Sequence, residues 1–418
     1  MAKPVIIVGA GLSGLACART LQARGIETRV IERSSAVGGR VQTDAVEGFL
    51  LDRGFQTLLT SYPEAQRQLD MNALDLRPFD PGAVLWNGDD FETIGDPMRD
   101  LGALFPTLLA RAATLRDKLE VLRLRRDVLR GDDYDAFESD DVPTLAYLRG
   151  RGFSEGFIAQ FFRPFLGGVF LEPELATTAR FFRFVFRMFS SGSATVPARG
   201  MGQIPAQLAE GLADGTLMLD THVSSVSPDG VQLQSGRRLD AAAVVVATEA
   251  PAAAPLVPSA PVVGSRAVTC VYFAAEQAPT SRAALHLNAS GRGVINNMHV
   301  ASAVSPEVAP DGQHLISVSC LGAHEDALAL RDRVQDEARR WFGDDASRWS
   351  ALRHYVIRHA LPAQPPGALE PPRRSVRSSS GVYLCGDYLD QASIDGALVS
   401  GRRTAEALAA DLRVAATG

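Results

Sequence analysis

Val5-Ile6-Ile7-Val8-Gly9-Ala10-Gly11-Leu12-Ser13-Gly14 opens the chain and decides its fold. The apolar run is long enough for a buried strand and too short for a signal peptide or a membrane span. The six residues from Gly9 to Gly14 match G-x-G-x-x-G. The first glycine permits a tight turn, the second lets a pyrophosphate approach the backbone, and the third lets a helix pack closely. Leu15, Ala18 and Leu21 recur on one face, which predicts a helix from Leu12 to Arg24, ended by Gly25. Its N-terminus offers free N–H groups and the positive end of a dipole to phosphates. Thr28 to Ile31 reads as the next strand. Glu32 follows it, placed to accept a hydrogen bond from a ribose hydroxyl. Strand, glycine turn, helix, strand and acid in this order specify a dinucleotide site.

Composition sets the outer bounds. The 418 residues are 46% hydrophobic and 22% charged, with a formal net charge of -6. That suits a globular protein of two or three domains and gives no basic face for nucleic acid. Cys17, Cys270, Cys320 and Cys385 form no CxxC or Cys/His cluster. No metal site or disulfide framework is expected, and a reducing, cytoplasmic compartment fits. Of the 42 basic residues only Lys3 and Lys118 are lysines.

Further along, residues 101–130 form a basic helical stretch with an apolar stripe, followed by an acidic loop from Asp132 to Asp141. The stretch has two readings, a helix lying on an anionic membrane surface and a solvated arginine face over an ordinary core stripe. The second is preferred. Residues 153–189 hold eleven of the nineteen phenylalanines. A helix is predicted over Pro205–Leu212, short strands over 217–248, and antiparallel strands at 266–274, 283–287, 314–320 and 352–359. A charged helix at about 325–341 interrupts them. Strand Val382–Cys385 and a helix from Ile394 to about Leu412 close the chain. The expected fold is α/β. A discontinuous Rossmann-type domain (1–65, 195–250 and 365–418) carries an inserted substrate domain of mixed or antiparallel sheet and helices (66–194 and 251–364, helical over about 100–190).

Glu32-Arg33-Ser34-Ser35-Ala36-Val37-Gly38-Gly39-Arg40 continues past the ribose acid into a Gly-Gly-Arg turn. Here the chain resembles the flavin amine oxidase superfamily, which includes amine oxidases, carotenoid desaturases and protoporphyrinogen oxidases. The resemblance implies non-covalent FAD held by Gly9, Gly11, Leu12, Ser13, Gly14, Glu32 and Arg33. It implies that Gly38 and Gly39 pass beside the flavin end, with Arg40 reaching phosphate or flavin oxygens. Asp52-Arg53-Gly54-Phe55 resembles the next motif, with Gly54 and Phe55 near the ring. His222-Val223 begins a segment similar to the strand whose valine backbone meets the adenine. Ala198-Arg199-Gly200-Met201-Gly202 resembles the glycine turn before it. Independently, Tyr383-Leu384-Cys385-Gly386-Asp387 resembles the family's strand-Gly-Asp, where Asp387 meets the ribityl chain or pyrophosphate. Ser393-Ile394-Asp395-Gly396-Ala397 resembles the helix start, including Ile394 and Ala397, that faces the flavin pyrimidine.

Within that superfamily, amine oxidases use a lysine-held water at flavin N5 and an aromatic cage. Lys3 and Lys118 are not expected there, and Ser393 occupies one cage position. Phe161-Phe162-Arg163-Pro164-Phe165-Leu166-Gly167-Gly168-Val169-Phe170 resembles instead the substrate segment of desaturases and porphyrinogen oxidases. Phe161, Phe162, Phe165, Phe182 and Phe186 are candidate cavity-lining rings, with core packing as the alternative for each. The expected chemistry is dehydrogenation, with hydride passing from a hydrophobic, isoprenoid or porphyrinogen-like substrate to the flavin. The flavin itself is the catalyst, and the side chains singled out beside it are His359 and Tyr388. Oxygen, a quinone or another acceptor remains open as oxidant. Two rivals stand, an amine or amino-acid oxidase and a non-catalytic flavin-binding or redox-sensing protein.

Overall fold

The computed structural model describes residues 3–94 and 113–417. At its centre lies a five-stranded parallel sheet. Its order is Leu217–Met218, Thr28–Ile31, Val5–Val8, Ala243–Val246, Tyr383–Leu384. The strands come from the beginning, middle and end of the chain. The central strand is buried on both faces, which is why it reads as an unbroken apolar run. Parallel strands end at one edge, so Gly9, Glu32, Ala247 and Gly386, which follow four of them, meet there. A three-stranded antiparallel sheet, Val223–Ser227, Gly230–Leu233 and Arg238–Asp240, lies against one side.

Helix Leu12–Gln22 and the C-terminal helix Ile394–Thr417 cover the other side. Their approach is set by missing side chains. A β-carbon on Gly401 would stand 2.3 Å from the Ser13 carbonyl oxygen and 3.0 Å from the Cys17 nitrogen. On Gly14 it would stand 2.1 Å from the Gly9 carbonyl oxygen.

The second body is a seven-stranded mixed sheet ordered Ser350–Pro362, Ser265–Ala275, His314–Leu321, Asn297–Val300, His286–Asn288, Ala83–Trp86, Phe91–Ile94. Its pairings are antiparallel except between His286–Asn288 and Ala83–Trp86. Helix Ala327–Phe342 packs Leu330, Val334, Ala338 and Trp341 on one face. Helices Leu115–Val128, Thr144–Arg151, Arg163–Phe170 and Ala179–Ser191 build the Phe-rich part. A π-helical turn at Ile158–Phe162 leads into the third of them. Pro164 follows at once and has no N–H for an ordinary helical bond, which accounts for the widened turn.

The sequence readings need several corrections. Strands 83–86, 91–94 and 297–300 were not foreseen, because four-residue segments carry little periodicity. Helix 205–212 begins earlier, at Gln203, and ends at Glu210. The last helix runs on to Thr417. The acidic loop contains a 3-10 turn at Asp135–Glu138. Of the basic stretch 101–130, the part before 113 lies outside the described residues. The rest is a helix started by a reciprocal Thr114–Asp117 capping box.

The helix contact is testable. Gly401→Ala puts a methyl group against backbone atoms that cannot rotate away, and is expected to cost about 1–3 kcal/mol. Chemical denaturation measures this, and an unchanged midpoint contradicts the close approach.

Candidate functional site

A cavity of about 1090 Å³ opens at the carboxyl edge of the parallel sheet and continues to the Phe-rich helices. Every cofactor residue expected from the sequence lines it except Gly14, which sits beneath the glycine turn against Gly9.

At the nucleotide end, Gly11 is the N-cap of helix Leu12–Gln22 and carries no side-chain cap. The first N–H groups of that helix are therefore left for a ligand. A β-carbon on Gly11 would meet nothing within 4 Å, so the space above it is open. Glu32 Oε2 accepts from the Ala10 N–H and Oε1 from the Ser34 N–H, each at 2.9 Å. These bonds aim the carboxylate across the turn and leave lone pairs for sugar hydroxyls. Gly38 and Gly39 take φ of 114° and 60°, a conformation that side chains rarely adopt, and Gly38 bridges to Gly11. Arg33, Thr221, His222 and Val223 line the same end.

Arg40 and Asp387, which the sequence assigns separately to the cofactor, are bonded to each other. Arg40 Nη2 donates to Asp387 Oδ1 at 2.8 Å and Nη1 to the Ala360 carbonyl at 2.9 Å. Burial pulls the Arg40 pKa down, and the Asp387 carboxylate outweighs it, so the net shift is upward and the cation persists. The Gly386 N–H donates to Ser400 Oγ at 3.0 Å, tying this turn to the C-terminal helix. Ser393, Ile394 and Ala397 bring that helix's first turn to the cavity, and Ser393 Oγ accepts from the Gly396 N–H at 3.0 Å. The positive end of a helix dipole is thus presented to the cavity that Gly54 and Phe55 also line.

FAD fits these residues. The open cradle above Gly11 suits a pyrophosphate and Glu32 suits a ribose. Two buried polar atoms on the wall, Thr248 Oγ1 and Gln56 Oε1, have no hydrogen-bond partner among the described residues. Gln56 Nε2 is already used, donating to the Arg40 carbonyl at 2.9 Å, which leaves the oxygen as the unpaired atom of that amide. Neither residue was foreseen. Thr248 could have been, since it follows strand Ala243–Val246 at the edge where ligands bind.

The far end is apolar. Phe161, Phe165 and Phe186 line it, with Phe157, Phe181 and Phe189 beside them. Phe162 and Phe182 do not. They are fully buried and meet edge to face at 6.1 Å in the helical core. The two acid–base candidates also fall away from the wall. Tyr388 is buried in the core beside the parallel sheet. His359 shares a strand with the lining residues Ile357, Ala360 and Leu361 but does not line the cavity itself. Lys118 also lines the cavity, as do Val121 and Leu122 of the same helix.

Cys385 is buried, its N–H donating to the Val246 carbonyl at 3.0 Å, and a hydrogen bond with Cys17 together with burial pushes its thiol pKa up. No thioether to flavin is expected, and acid precipitation should release all of the flavin. Flavin retained on the pellet would refute this. Glu32→Ala is expected to weaken FAD binding by about 1–3 kcal/mol, read by fluorescence titration of apoprotein. Undiminished affinity would place the ribose elsewhere.

Comparison with known proteins agrees with this geometry. Residues 12–409 match the model of the flavin containing amine oxidoreductase family. A coproporphyrinogen III oxidase of Propionibacterium freudenreichii is 25% identical over 395 residues, covering 75% of this chain and 72% of that protein. Protoporphyrinogen oxidase 2 of Arabidopsis thaliana is 40% identical over 68 residues, 16% of this chain and 13% of its own. Among solved structures, a putative protoporphyrinogen oxidase from Exiguobacterium has a TM-score of 0.72 at 19% identity, covering 98% of this chain and 99% of its own. Putrescine oxidase has the same TM-score at 18% identity and the same coverages. No described helix is long and apolar enough to cross a membrane. The chain belongs to the flavin-containing amine oxidoreductase family and is an FAD-dependent oxidoreductase.

Proposed function

We propose that this enzyme dehydrogenates a hydrophobic cyclic or conjugated molecule, with a porphyrinogen-like ring as the preferred class. The observation that carries this reading is the continuity of the cavity, which runs from the nucleotide cradle to a wall of phenylalanines. Bound FAD supplies the acceptor for a hydride from a substrate C–H bond. The protein's part is to orient the substrate. The rings of Phe161 and Phe165 stack at 5.6 Å and 8° and form a flat apolar surface. Their apolar faces offer water no hydrogen bonds and favour an apolar ligand. The first turn of helix Ile394–Thr417 stabilises negative charge that develops beside it. No side-chain base is needed in this scheme, in keeping with the positions of His359 and Tyr388. The coproporphyrinogen III oxidase relative, matched over most of both chains, supports a porphyrinogen over an isoprenoid.

A second reading, oxidation of an amine, takes its support from Lys118, a lysine among the residues that line the cavity. Against it, the lining acids Glu32, Glu249 and Asp387 belong to the nucleotide end, and Ser393 replaces an aromatic ring. Asp80 is half-exposed with its carboxylate 3.9 Å from Arg282, and does not offer an ammonium ion a dry counter-charge. Anaerobic mixing separates the two readings. Coproporphyrinogen III is expected to bleach the flavin at least tenfold faster than putrescine or benzylamine. Faster bleaching by an amine would overturn the proposal and support the second reading.

A further inference from the structure

We propose that the substrate presents a hydrogen-bond acceptor, a carbonyl or carboxylate oxygen on its apolar frame, to the side-chain amide of Asn297. This deepens the functional proposal and rests on its reading of the apolar cavity as the substrate site.

Strand Asn297–Val300 alternates polar and apolar residues. Met298 and Val300 pack into the core under helix Ala327–Phe342. Asn297 and His299 lie on the opposite face, toward the cavity. His299 packs there against Phe55 and Phe79, with ring centroids 4.7 and 5.5 Å away. Both of those rings line the cavity, as does Asn297, which is 3% exposed. Its cross-strand partners are the buried Ser319 on one side and, on the other, Leu287, which clusters with Phe161, Phe165 and Leu285. An amide so placed needs a reason.

The orientation of that amide follows from its neighbours. Asn296 Nδ2 donates to the Pro164 carbonyl at 3.2 Å and to Asn297 Oδ1 at 2.9 Å. A carbonyl can only accept, so Asn296 must turn its NH2 toward Pro164, and the same NH2 fixes Asn297 with its oxygen inward. The NH2 of Asn297 is what remains, and it has no acceptor among the described residues. Gly168 makes room for the pair, since a β-carbon there would stand 2.9 Å from Asn296 Nδ2.

A buried donor without an acceptor is destabilising, and a ligand oxygen relieves it. The strand offers no charge with it, because burial first, and His286 second, hold the His299 pKa down to about 3 and keep the ring neutral. A neutral donor in an apolar wall selects an oxygen acceptor and disfavours an ammonium group, which has only donors to offer.

The test uses two probes of one shape, 2-acetylnaphthalene and 2-isopropenylnaphthalene, in which a C=CH2 group replaces the C=O. Each is titrated into the FAD-loaded enzyme, and the shift of the flavin absorption band is followed. The wild type is expected to bind the acetyl compound about tenfold more tightly, or better. Asn297→Ala and Asn297→Leu should both abolish that preference while leaving the isopropenyl compound's affinity within about twofold of wild type. FAD content reports that the variants fold. If they do not, the wild-type preference alone decides. Equal binding of both probes by the wild type, or a preference that survives in the variants, overturns the inference and leaves the cavity reading standing. No response to either probe overturns both.

Discussion

The backbone of Ser13 occupies the space where a side chain on Gly401 would be, and the rest of the site depends on that contact. It presses the C-terminal helix onto the helix that follows the glycine turn. Two segments far apart in sequence thereby share one groove, one offering the first turn of helix Leu12–Gln22 and the other the first turn of helix Ile394–Thr417. Both present positive dipole ends to the cavity, one at the glycine turn and one at Ser393–Ile394. The parallel sheet adds Glu32, Thr248 and Gly386 at its carboxyl edge. A few glycines thus convert a buried apolar sheet into a cradle for a large anionic cofactor.

The Arg40–Asp387 pair acts in the same sense. It joins the Gly-Gly-Arg turn to the strand-Gly-Asp turn across most of the sequence, with Asp387 almost wholly buried. Removing either partner would leave a charge with poor solvation, which is expensive in such a setting. Near the cofactor the pair is a clamp first, and its remaining donors and lone pairs are what a ligand can use.

The nucleotide half was legible because its chemistry is local. Gly9 to Gly14 and Glu32 act within one short strand-turn-helix-strand unit, so spacing carries the information, whereas Gly38, Gly39 and Arg40 are legible through the family resemblance and the Arg40 side chain reaches Asp387 and Ala360 far along the chain. The substrate half was less so. Phe161 and Phe162 are neighbours in sequence, yet one lines the cavity and the other packs in the core, because adjacent helical residues point about 100° apart and only the tertiary packing decides what each meets. Lys118 looked like one more cation on a solvated helix face, and only the tertiary packing turns it to the wall. Asn297 lies in a four-residue strand that no periodicity announced, and its importance comes from what Asn296 and Pro164 do to it.

Phenylalanine-rich walls and a cofactor cradle at the other end form one continuous space among the described residues, and the account turns on this continuity. A crystal structure of the FAD-loaded protein tests it most directly. The expected result places the isoalloxazine ring between Gly54–Gln56 and Ser393–Ile394, with one face open to Phe161, Phe165 and Phe186. A ring lying outside that gap, or a wall of side chains separating it from those phenylalanines, would contradict it.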